Sequence, residues 1–387
     1  MDIERSHVIG IVAADASGDQ LGGHLMRSLL LRHPGLHFVG IGGSRMEAAG
    51  AEILFPMDKL GVRSYGEGVK RRWEIVGIRR RLRKYFLRNP PALFIGVDAP
   101  DFNLDLEIDL RRAGIPTVQY VAPATWPARH DGIHKVKQAV SALLTLFPFE
   151  TRLYESAGVP VRYVGHPLAD ILAELPPPEL VREELRVPVG VPVVALLPGT
   201  RVSELENTAE LFVRTAVKLN EQIENVRFLV PFESRDTKAL FEAALYRVQP
   251  ENWNLTMVIG HSLEAMAAAD VVLVVSGTAS LEAALLKRPM VVTYKTDRFS
   301  WWRLRKRTER TFIGMPNILA GEAVVPELLQ DAATPESLAE EVKKLLYDKD
   351  ARARLEIHFE SMRHDLRQNT AEKAAAVLIP LLSRVPV

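Results

Sequence analysis

Short runs of β-branched and aliphatic residues alternate with helical patterns along this chain of 387 residues. Consecutive parallel strands need a crossover connection, which is usually a helix, so the alternation predicts parallel βαβ units with helices on both faces of a sheet. In the first half we predict strands at Val8–Val12, Phe38–Ile41, Leu93–Val97, Thr117–Val121 and Leu143–Leu146, with helices at Leu21–Leu31, Leu106–Ala113 and Phe149–Ala157.

A proline-rich break interrupts this pattern, and we interpret 173–190 as a linker or a short connecting helix. A second series follows, with predicted strands at Val193–Leu197, Val226–Val230, Leu255–Ile259, Val271–Val275 and Met290–Val292. Helices are predicted at Glu204–Leu219, Lys238–Arg247, Leu263–Ala268 and Leu281–Leu286, and the chain from Pro335 onward is helical and charged. The sequence therefore predicts two Rossmann-like α/β domains that face a cleft, with ligands at the carboxyl ends of the strands.

The composition excludes several classes of protein. A net charge of +1 argues against a nucleic-acid binder, and the absence of cysteine excludes disulfides, zinc–thiolate sites and cysteine nucleophiles. The start Met1–Arg5 lacks the features of a secretory signal, and no uncharged apolar run reaches the roughly 18 residues that a membrane-spanning helix needs. We therefore expect a cytoplasmic protein that is soluble or lies on a membrane surface.

Residues 276–286 combine a turn of small residues with the start of a helix, directly after an apolar run. The first turn of a helix has unpaired N–H groups and a partial positive charge, so it binds phosphate. Gly277 permits close approach to the backbone, Ser276 and Thr278 offer hydroxyls, and Glu282 could accept hydrogen bonds from a ribose. The stretch indicates either a nucleotide-diphosphate site, as for a nucleotide-sugar, or a capped helix with Glu282 in solvent.

Gly199, Thr200 and Arg201 form a second loop of this kind after a predicted strand. A guanidinium just past a Pro-Gly turn can bind a diphosphate through two parallel hydrogen bonds. Its contribution would be largest as negative charge grows on the leaving group. The alternative is a surface ion pair between Arg201 and Glu204 or Glu206.

Two carboxylates follow the predicted strand Leu93–Val97, at Asp98 and Asp101. A general base needs a carboxylate beside the attacking hydroxyl, with its pKa raised toward neutral by partial burial. Asp98 is nearest the strand end and is our candidate base. Asp101 and Asn103 could equally hold the loop together through side-chain hydrogen bonds to the backbone, and we favour that role for Asn103.

Asp15, Ser17 and Asp19 lie in a loop of small residues after the first predicted strand. Small residues and hydroxyls at such a turn suit contact with phosphate or sugar, and we assign Asp15 and Ser17 to that contact. The alternative is that Ser17 or Asp19 caps the helix that starts near Gln20. For Asp19 we predict the capping role.

Two glycine-containing turns carry weaker signals. Gly40–Gly43 resembles a dinucleotide fingerprint only loosely, because the third spaced glycine is missing, so we predict a tight turn and no nicotinamide cofactor. Asn317 lies in the turn Gly314–Leu319 and could reach the same cleft as the nucleotide loops.

Two stretches, Lys70–Arg88 and Arg298–Arg310, combine clustered arginines with tryptophan. Basic amphipathic helices with aromatic residues attract anionic membrane surfaces, although nucleic-acid binding or a solvated helix face are the alternatives. Tryptophan beside arginine in two separate places favours the membrane surface. The candidate lipid-facing residues are Trp73, Arg80, Trp301, Trp302 and Arg305.

In this order, the motifs resemble those of the lipid-A-disaccharide synthases of Gram-negative outer-membrane biosynthesis. The resemblance extends over nearly the whole chain, and a collinear set of this kind is highly specific. It rests on Ser17–Gly22, Gly96–Asn103, Leu146–Glu150, Val164–Asp170, Leu196–Arg201, Ser276–Glu282 and Pro316–Gly321.

The resemblance implies a GT-B fold, in which two Rossmann-like parallel-sheet domains face a cleft and a C-terminal helix returns to the first domain. We expect an acceptor and lipid domain at 1–175, a UDP-sugar domain at 176–350 and returning helices at 351–387. Asp98 matches the family's essential aspartate, Arg201 its essential arginine and Glu282 its ribose-side glutamate. The resemblance implies no metal and no cofactor.

The implied reaction is an inverting transfer of 2,3-diacylglucosamine from UDP to the 6-hydroxyl of 2,3-diacylglucosamine 1-phosphate. Its products are the β-1,6-linked disaccharide 1-phosphate and UDP. Both substrates carry acyl chains, so we expect peripheral association with the anionic surface of the inner membrane and no nucleic-acid partner. A homodimer is compatible with the sequence.

The chain departs from the family pattern on the acceptor side. Asp15 stands where the family has glutamate, Ala122–Arg129 has lost two hydroxyls and a tryptophan, and Gly61–Glu67 is more polar than the family's apolar segment. The UDP side is nearly intact. The alternatives are therefore a related GT-B enzyme with another acceptor, a UDP-sugar epimerase, or a catalytically inactive, membrane-associated binding protein.

Overall fold

The chain forms two compact units, each built on one parallel sheet. In a computed structural model, the described residues are 7–60, 68–123, 130–172, 176–250, 253–307 and 312–382. The first unit comprises Met1–Asp170 and Leu366–Val387, and the second comprises Ile171–Asp365. The prediction of two parallel-sheet α/β domains is confirmed.

The sheet of the first unit has seven parallel strands in the order β3-β2-β1-β4-β5-β6-β7. The strands are β1 (Val8–Ala13), β2 (His37–Gly42), β3 (Ala51–Pro56), β4 (Leu93–Val97), β5 (Thr117–Tyr120), β6 (Ala142–Thr145) and β7 (Val161–Tyr163). The helices are α1 (Ala16–Arg32), α2 (Ser44–Ala48), α3 (Gly68–Arg88), α4 (Pro100–Arg112), α5 (His130–Ala139), α6 (Pro148–Ser156), α7 (Pro167–Ile171) and, from the end of the chain, α17 (Thr370–Leu382).

Both faces of this sheet are covered, as a parallel sheet requires. Successive side chains of a strand point to opposite faces. Ile11 of β1 therefore joins one apolar cluster with Leu25 of α1 and Leu378 of α17. Its neighbour Val12 joins the opposite cluster, with Phe86 of α3 and Leu106 of α4.

The sheet of the second unit has six parallel strands in the order β10-β9-β8-β11-β12-β13. The strands are β8 (Val193–Leu197), β9 (Arg227–Phe232), β10 (Asn254–Ile259), β11 (Val271–Val275), β12 (Met290–Tyr294) and β13 (Glu327–Leu329). The helices are α8 (Pro178–Glu184), α9 (Val202–Gln222), α10 (Arg235–Val248), α11 (Ser262–Ala268), α12 (Thr278–Leu285), α13 (Arg298–Arg307), α14 (Met315–Ala320), α15 (Pro335–Tyr347) and α16 (Lys349–Leu366).

The end of the chain divides between the two units. We expected the returning helices to begin at 351, but α16 packs into the core of the second unit through Leu355 and Phe359. Only α17 joins the first unit, where Ala374 and Leu378 are buried beside α1. No helix in the described ranges is both long and apolar enough to cross a bilayer.

The sequence prediction differs from the structure mainly at element ends and at short edge strands. β3, β7 and β13 were not predicted. The turn predicted at Gly40–Gly43 is wrong, because β2 continues to Gly42. A Cβ at Gly40 would collide with the carbonyl oxygen of Ile11, so glycine here permits close packing of neighbouring strands.

Candidate active site

The first unit brings two candidate loops together where its strand order reverses. β1 and β4 are neighbours, with Ala13 opposite Val97. The next strand after β1, which is β2, lies toward one edge of the sheet, and the next strand after β4, which is β5, lies toward the other edge. Such a switch point is the usual ligand site of an open α/β sheet. Asp15 follows β1 and Asp98 follows β4, so both carboxylates lie at this edge.

Asp98 has an unusual backbone that is held from two sides. Asp98 and Ala99 have φ values of 51° and 44°, in the left-handed region that costs a non-glycine residue about 1–2 kcal/mol. The Asp98 carbonyl oxygen accepts hydrogen bonds of 2.9 Å from both Asn103 Nδ2 and Gln119 Nε2. The loop role predicted for Asn103 is therefore confirmed, and the strain lies at a candidate catalytic residue, where such strain is common.

The surroundings of Asp98 make its carboxyl group more basic. Burial raises its pKa, the negative charge of Asp15 raises it further, and the Ala99 N–H opposes both effects. A half-buried carboxylate with an increased proton affinity is suited to accept a proton from a hydroxyl.

The β1–α1 loop shows which carboxylate caps which helix. Asp15 is the N-cap of α1, and its Oδ1 accepts a hydrogen bond of 2.7 Å from the Gly18 N–H. The capping of this helix that we predicted for Asp19 is therefore wrong. Asp19 is 2% exposed and instead accepts hydrogen bonds from the Gly43, Arg45 and Met46 N–H groups at the start of α2. Ser17 and Asp15 are exposed.

The second unit repeats the switch-point arrangement. β8 and β11 are neighbours, with Leu197 opposite Val274, and the strand order reverses between them. The loop that ends in Arg201 follows β8, and the loop that starts at Ser276 follows β11. The two loops predicted to bind a diphosphate therefore lie side by side at one edge of this sheet.

Arg201 is exposed at the start of α9, where it is the N-cap residue. The carboxylate of Glu204 accepts hydrogen bonds from the backbone N–H groups of Thr200 at 2.9 Å and of Arg201 at 3.3 Å. Glu204 thus binds the backbone of the loop. The alternative was an ion pair between Glu204 and the Arg201 guanidinium, and the structure shows the backbone contact instead. Gly199 has φ of 127°, which favours glycine in this turn.

The loop after β11 leaves the start of α12 uncapped by a side chain. Gly277 is the N-cap, Gly277 and Thr278 are exposed, and a Cβ at Gly277 would meet no atom within 4 Å. Ser276 Oγ donates a hydrogen bond of 2.8 Å to the Ile313 carbonyl, so this hydroxyl supports the loop. Burial raises the pKa of Glu282, and the charge of Glu233 raises it further.

Asn317 does not present its side chain at a surface. It is 1% exposed, and its amide donates to Val325 O and Glu327 Oε1 and accepts from the Val324 and Val325 N–H groups. Glu327 in turn accepts from the backbone of Gly314. The predicted direct contact with a ligand is therefore corrected to a structural role, in which Asn317 orders the segment beside the β11 loop.

Helix α3 uses part of its basic surface within the first unit. Arg79 and Arg83 form ion pairs with Asp105 and Asp109 of α4. Arg80 is exposed, and the side chain of Trp73 is 71% exposed. The basic stretch is therefore divided between a helix–helix contact and an exposed surface.

Helix α13 likewise has one outward and one inward tryptophan. Trp302 is 52% exposed and stacks on Phe299, which is 65% exposed. Trp301 is half-buried and its ring lies 6.1 Å from the ring of Tyr294, so its predicted outward position is corrected. The side chain of Arg305 lies outside the described residues, as do the acceptor-side segments 61–67 and 124–129.

Two polar residues beneath Asp98 were missed by the sequence reasoning. Glu107 and Gln119 are both fully buried, and Gln119 holds the Asp98 carbonyl directly. A polar residue in an otherwise apolar buried strand is an informative departure, and Gln119 in Thr117–Val121 was such a signal.

Known proteins decide the family. The family model described as lipid-A-disaccharide synthetase matches residues 9–379. A lipid-A-disaccharide synthase from Methylobacillus flagellatus is 48% identical over 374 residues, which cover 97% of this chain and 99% of that protein. This chain belongs to the lipid-A-disaccharide synthase family. Members of the family are glycosyltransferases, so the predictions of family and of enzyme class are confirmed.

Solved structures agree on the fold. A glycosyltransferase from Rickettsia africae superposes with a TM-score of 0.60 at 12% identity, covering 98% of this chain and 99% of that one. A putative UDP-N-acetylglucosamine 2-epimerase from Listeria monocytogenes superposes with a TM-score of 0.64 at 11% identity, covering 97% and 94%. At these identities the likeness shows the GT-B fold, which the sequence predicted.

Proposed function

We propose that this synthase transfers 2,3-diacylglucosamine from UDP to the 6-hydroxyl of 2,3-diacylglucosamine 1-phosphate, with inversion at the anomeric carbon. The products are the β-1,6-linked disaccharide 1-phosphate and UDP. The observation that carries this proposal is Asp98, a half-buried carboxylate with a raised pKa at the switch point of the first sheet. It has the position and the proton affinity of a general base.

In the proposed reaction, Asp98 accepts the proton of the acceptor 6-hydroxyl as its oxygen attacks the anomeric carbon of the donor sugar. The bond between that carbon and the UDP oxygen breaks in the same step, and UDP leaves with the bonding electron pair. A single displacement of this kind inverts the configuration. Asp15, which caps α1, contributes negative charge beside the base.

The second unit supplies the proposed UDP site. Arg201 would bind the diphosphate through its guanidinium, and the uncapped start of α12, with Gly277 and Thr278, would offer N–H groups and a hydroxyl. Both stabilise the charge that grows on the leaving group. Glu282 would accept hydrogen bonds from the ribose hydroxyls. Gly199, Thr200, Ser276 and Asn317 complete the proposed site on this unit, Ser276 and Asn317 by ordering its loops. Ser17, which lies beside Asp15 in the first unit, remains a proposed contact for the sugar.

The proposal is tested with purified protein, both lipid substrates and mass spectrometry of the product. Asp98→Ala should lower kcat by about 10²–10⁴-fold, the usual contribution of general base catalysis, with little loss of UDP affinity. Arg201→Ala should lower both kcat and UDP affinity. Asp101→Ala is the matched control, because this exposed carboxylate lies three positions after Asp98, in the first turn of α4, and has no proposed part in the reaction.

Other outcomes point to the alternatives. Near-normal turnover by Asp98→Ala would show that Asp98 is not the base. Release of UDP from the donor without acceptor would favour an epimerase. Absence of any disaccharide product from the wild-type protein would contradict the proposed substrates.

We further propose that the exposed aromatic and basic side chains of α3 and α13 bind an anionic membrane surface. Trp73, Arg80 and Trp302 are exposed on these helices. The double variant Trp73→Ala with Trp302→Ala should bind phosphatidylglycerol vesicles at least about tenfold more weakly, since each ring buries a large apolar area. Tyr246→Ala is the control, because Tyr246 is 80% exposed on α10. Equal binding by both variants in cosedimentation would contradict the proposal.

A further inference from the structure

A buried polar cluster lies beneath the loop that carries Asp98. Asn103 and Glu107 are four residues apart on α4, so they lie on one face of that helix. Gln119 lies on β5, directly opposite Gly96 of β4. The side chains of Asn103, Glu107 and Gln119 are all fully buried. Burying polar groups of this kind costs folding free energy unless they form hydrogen bonds.

The three side chains converge on Gly96. The space that a Cβ would occupy at Gly96 is taken by Glu107 Oε1, by Gln119 Oε1 and by the Cβ of Asn103. Glycine is therefore required at this position, because any larger residue would displace the carboxyl and amide groups.

The amide nitrogens of this cluster hold the strained backbone of the site. Asn103 Nδ2 and Gln119 Nε2 both donate to the Asp98 carbonyl oxygen at 2.9 Å. Gln119 Nε2 also lies 3.2 Å from the carbonyl oxygen of Val121. Asp98 and Val121 have φ values of 51° and 83°, so two left-handed residues on neighbouring strand ends share one amide donor.

The side-chain oxygens of the cluster have too few donors. Within the described residues, Asn103 Oδ1, Gln119 Oε1 and both carboxyl oxygens of Glu107 accept no well-formed hydrogen bond. An ionised Glu107 would add a buried charge to this set of acceptors. Burial raises the pKa of Glu107 well above its usual range, and the Gly96 N–H opposes this shift only in part. A protonated Glu107 supplies an O–H donor where only acceptors otherwise meet.

We propose that Glu107 is a positioning residue for Asp98: the Glu107 carboxyl group keeps the amide of Gln119 turned so that its nitrogen holds the Asp98 carbonyl oxygen. The inference rests on the proposed role of Asp98 as the base. If the Gln119 amide rotated by half a turn, its oxygen would face the Asp98 carbonyl oxygen, and the two acceptors would repel each other. A protonated Glu107 would prevent this rotation by donating to Gln119 Oε1, because Glu107 Oε1 and Gln119 Oε1 both lie against Gly96.

The test separates positioning from general stability through three variants assayed for kcat, UDP affinity and Tm. Glu107→Leu removes the donor and should lower kcat by about ten- to a hundredfold, the usual effect of a misplaced catalytic group. UDP affinity should not change, because the proposed UDP site lies on the second unit. Glu107→Gln keeps a neutral donor and should retain kcat within about twofold. Leu110→Ala is the stability control, since Leu110 is buried one turn further along α4.

A second variant keeps the test decisive if Glu107→Leu does not fold. Gln119→Leu removes the amide that bridges Asp98 and Val121 and should lower kcat to a similar extent. Where both variants fold, their combination should lose little more than either alone, because they act through one arrangement.

The outcomes distinguish this inference from the proposed function. Equal kcat for Glu107→Leu and Leu110→Ala at a matched fall in Tm, or normal kcat for Gln119→Leu, would overturn the positioning role while Asp98→Ala remained inactive. An active Asp98→Ala variant would instead overturn the role of the base.

Discussion

Acidic side chains in the first unit have different roles that their surroundings decide. Asp15 is exposed and caps a helix, whereas Asp19 is buried and accepts three backbone hydrogen bonds. Asp98 is half-buried with a raised pKa, and Glu107 is fully buried. The sequence identified Asp98 as the base from its position after a strand. It gave no means to rank the burial of the others, because burial depends on elements that are distant in the chain.

The charge of Asp15 gives a prediction for the pH dependence of the reaction. Asp98 must be ionised to act as a base, and the negative charge of Asp15 is the second cause of its raised pKa, after burial. Asp15→Asn removes this charge and keeps a side chain that can cap α1. The pKa of Asp98 should therefore fall, and the acidic limb of the kcat/KM profile should move to lower pH. Asp101→Asn is the control, and a limb that stayed in place or moved to higher pH would contradict the prediction.

At the scale of elements, strand positions were predicted better than helix starts. Predicted and observed β4, β8 and β11 agree at both ends, since a buried parallel strand is a continuous apolar run. Helix α1 begins at Ala16, whereas we predicted a start at Leu21. The prediction was late because Gly18 and Asp19 interrupt the apolar pattern on which it depended. This error assigned the cap to Asp19 instead of Asp15. The hydrogen-bond partners of Asp19 lie 24–27 residues away, at the start of α2.

Asp19 should therefore matter for stability. Asp19→Ala leaves the Gly43, Arg45 and Met46 N–H groups without their acceptor, which should lower the free energy of unfolding by about 3 kcal/mol. Urea denaturation measures the loss. The control is Asp109→Ala, because its ion pair with Arg83 is largely solvent-exposed and should contribute less than about 1 kcal/mol. Similar small losses for both variants would show that Asp19 does not hold α2.

At the scale of the whole chain, the motif Val164–Asp170 attaches the C-terminal segment to the first unit. The His166 N–H donates to the Leu366 carbonyl at 2.9 Å. Asp170 accepts hydrogen bonds from the N–H groups of Asn369 at 3.0 Å and Thr370 at 2.8 Å, at the start of α17. A motif that contributed to the family resemblance therefore has a structural role here, in addition to any role in the reaction.

Loss of this attachment should release the last helix. Asp170→Ala removes the acceptor at the start of α17 and should cost about 1–2 kcal/mol, the usual value of a helix cap. Amide hydrogen exchange across 370–382 should become faster. Ser234→Ala is the control, because Ser234 caps α10 in the second unit at a comparable energetic cost without contacting α17. Unchanged exchange in 370–382 for Asp170→Ala would contradict the prediction.

The sequence by itself determined the two parallel α/β series, the loops after β8 and β11, and Asp98 as the candidate base. These features are local, because a strand, a turn and a helix start leave their patterns in adjacent residues. The tertiary structure alone decided that Asn317 is buried, that α16 stays with the second unit, and that Glu107 lies beneath Asp98. Each of these depends on contacts between distant residues, such as the 200 positions that separate Asp170 from Thr370. Burial, and the proton affinities that follow from it, exist only once such contacts have formed.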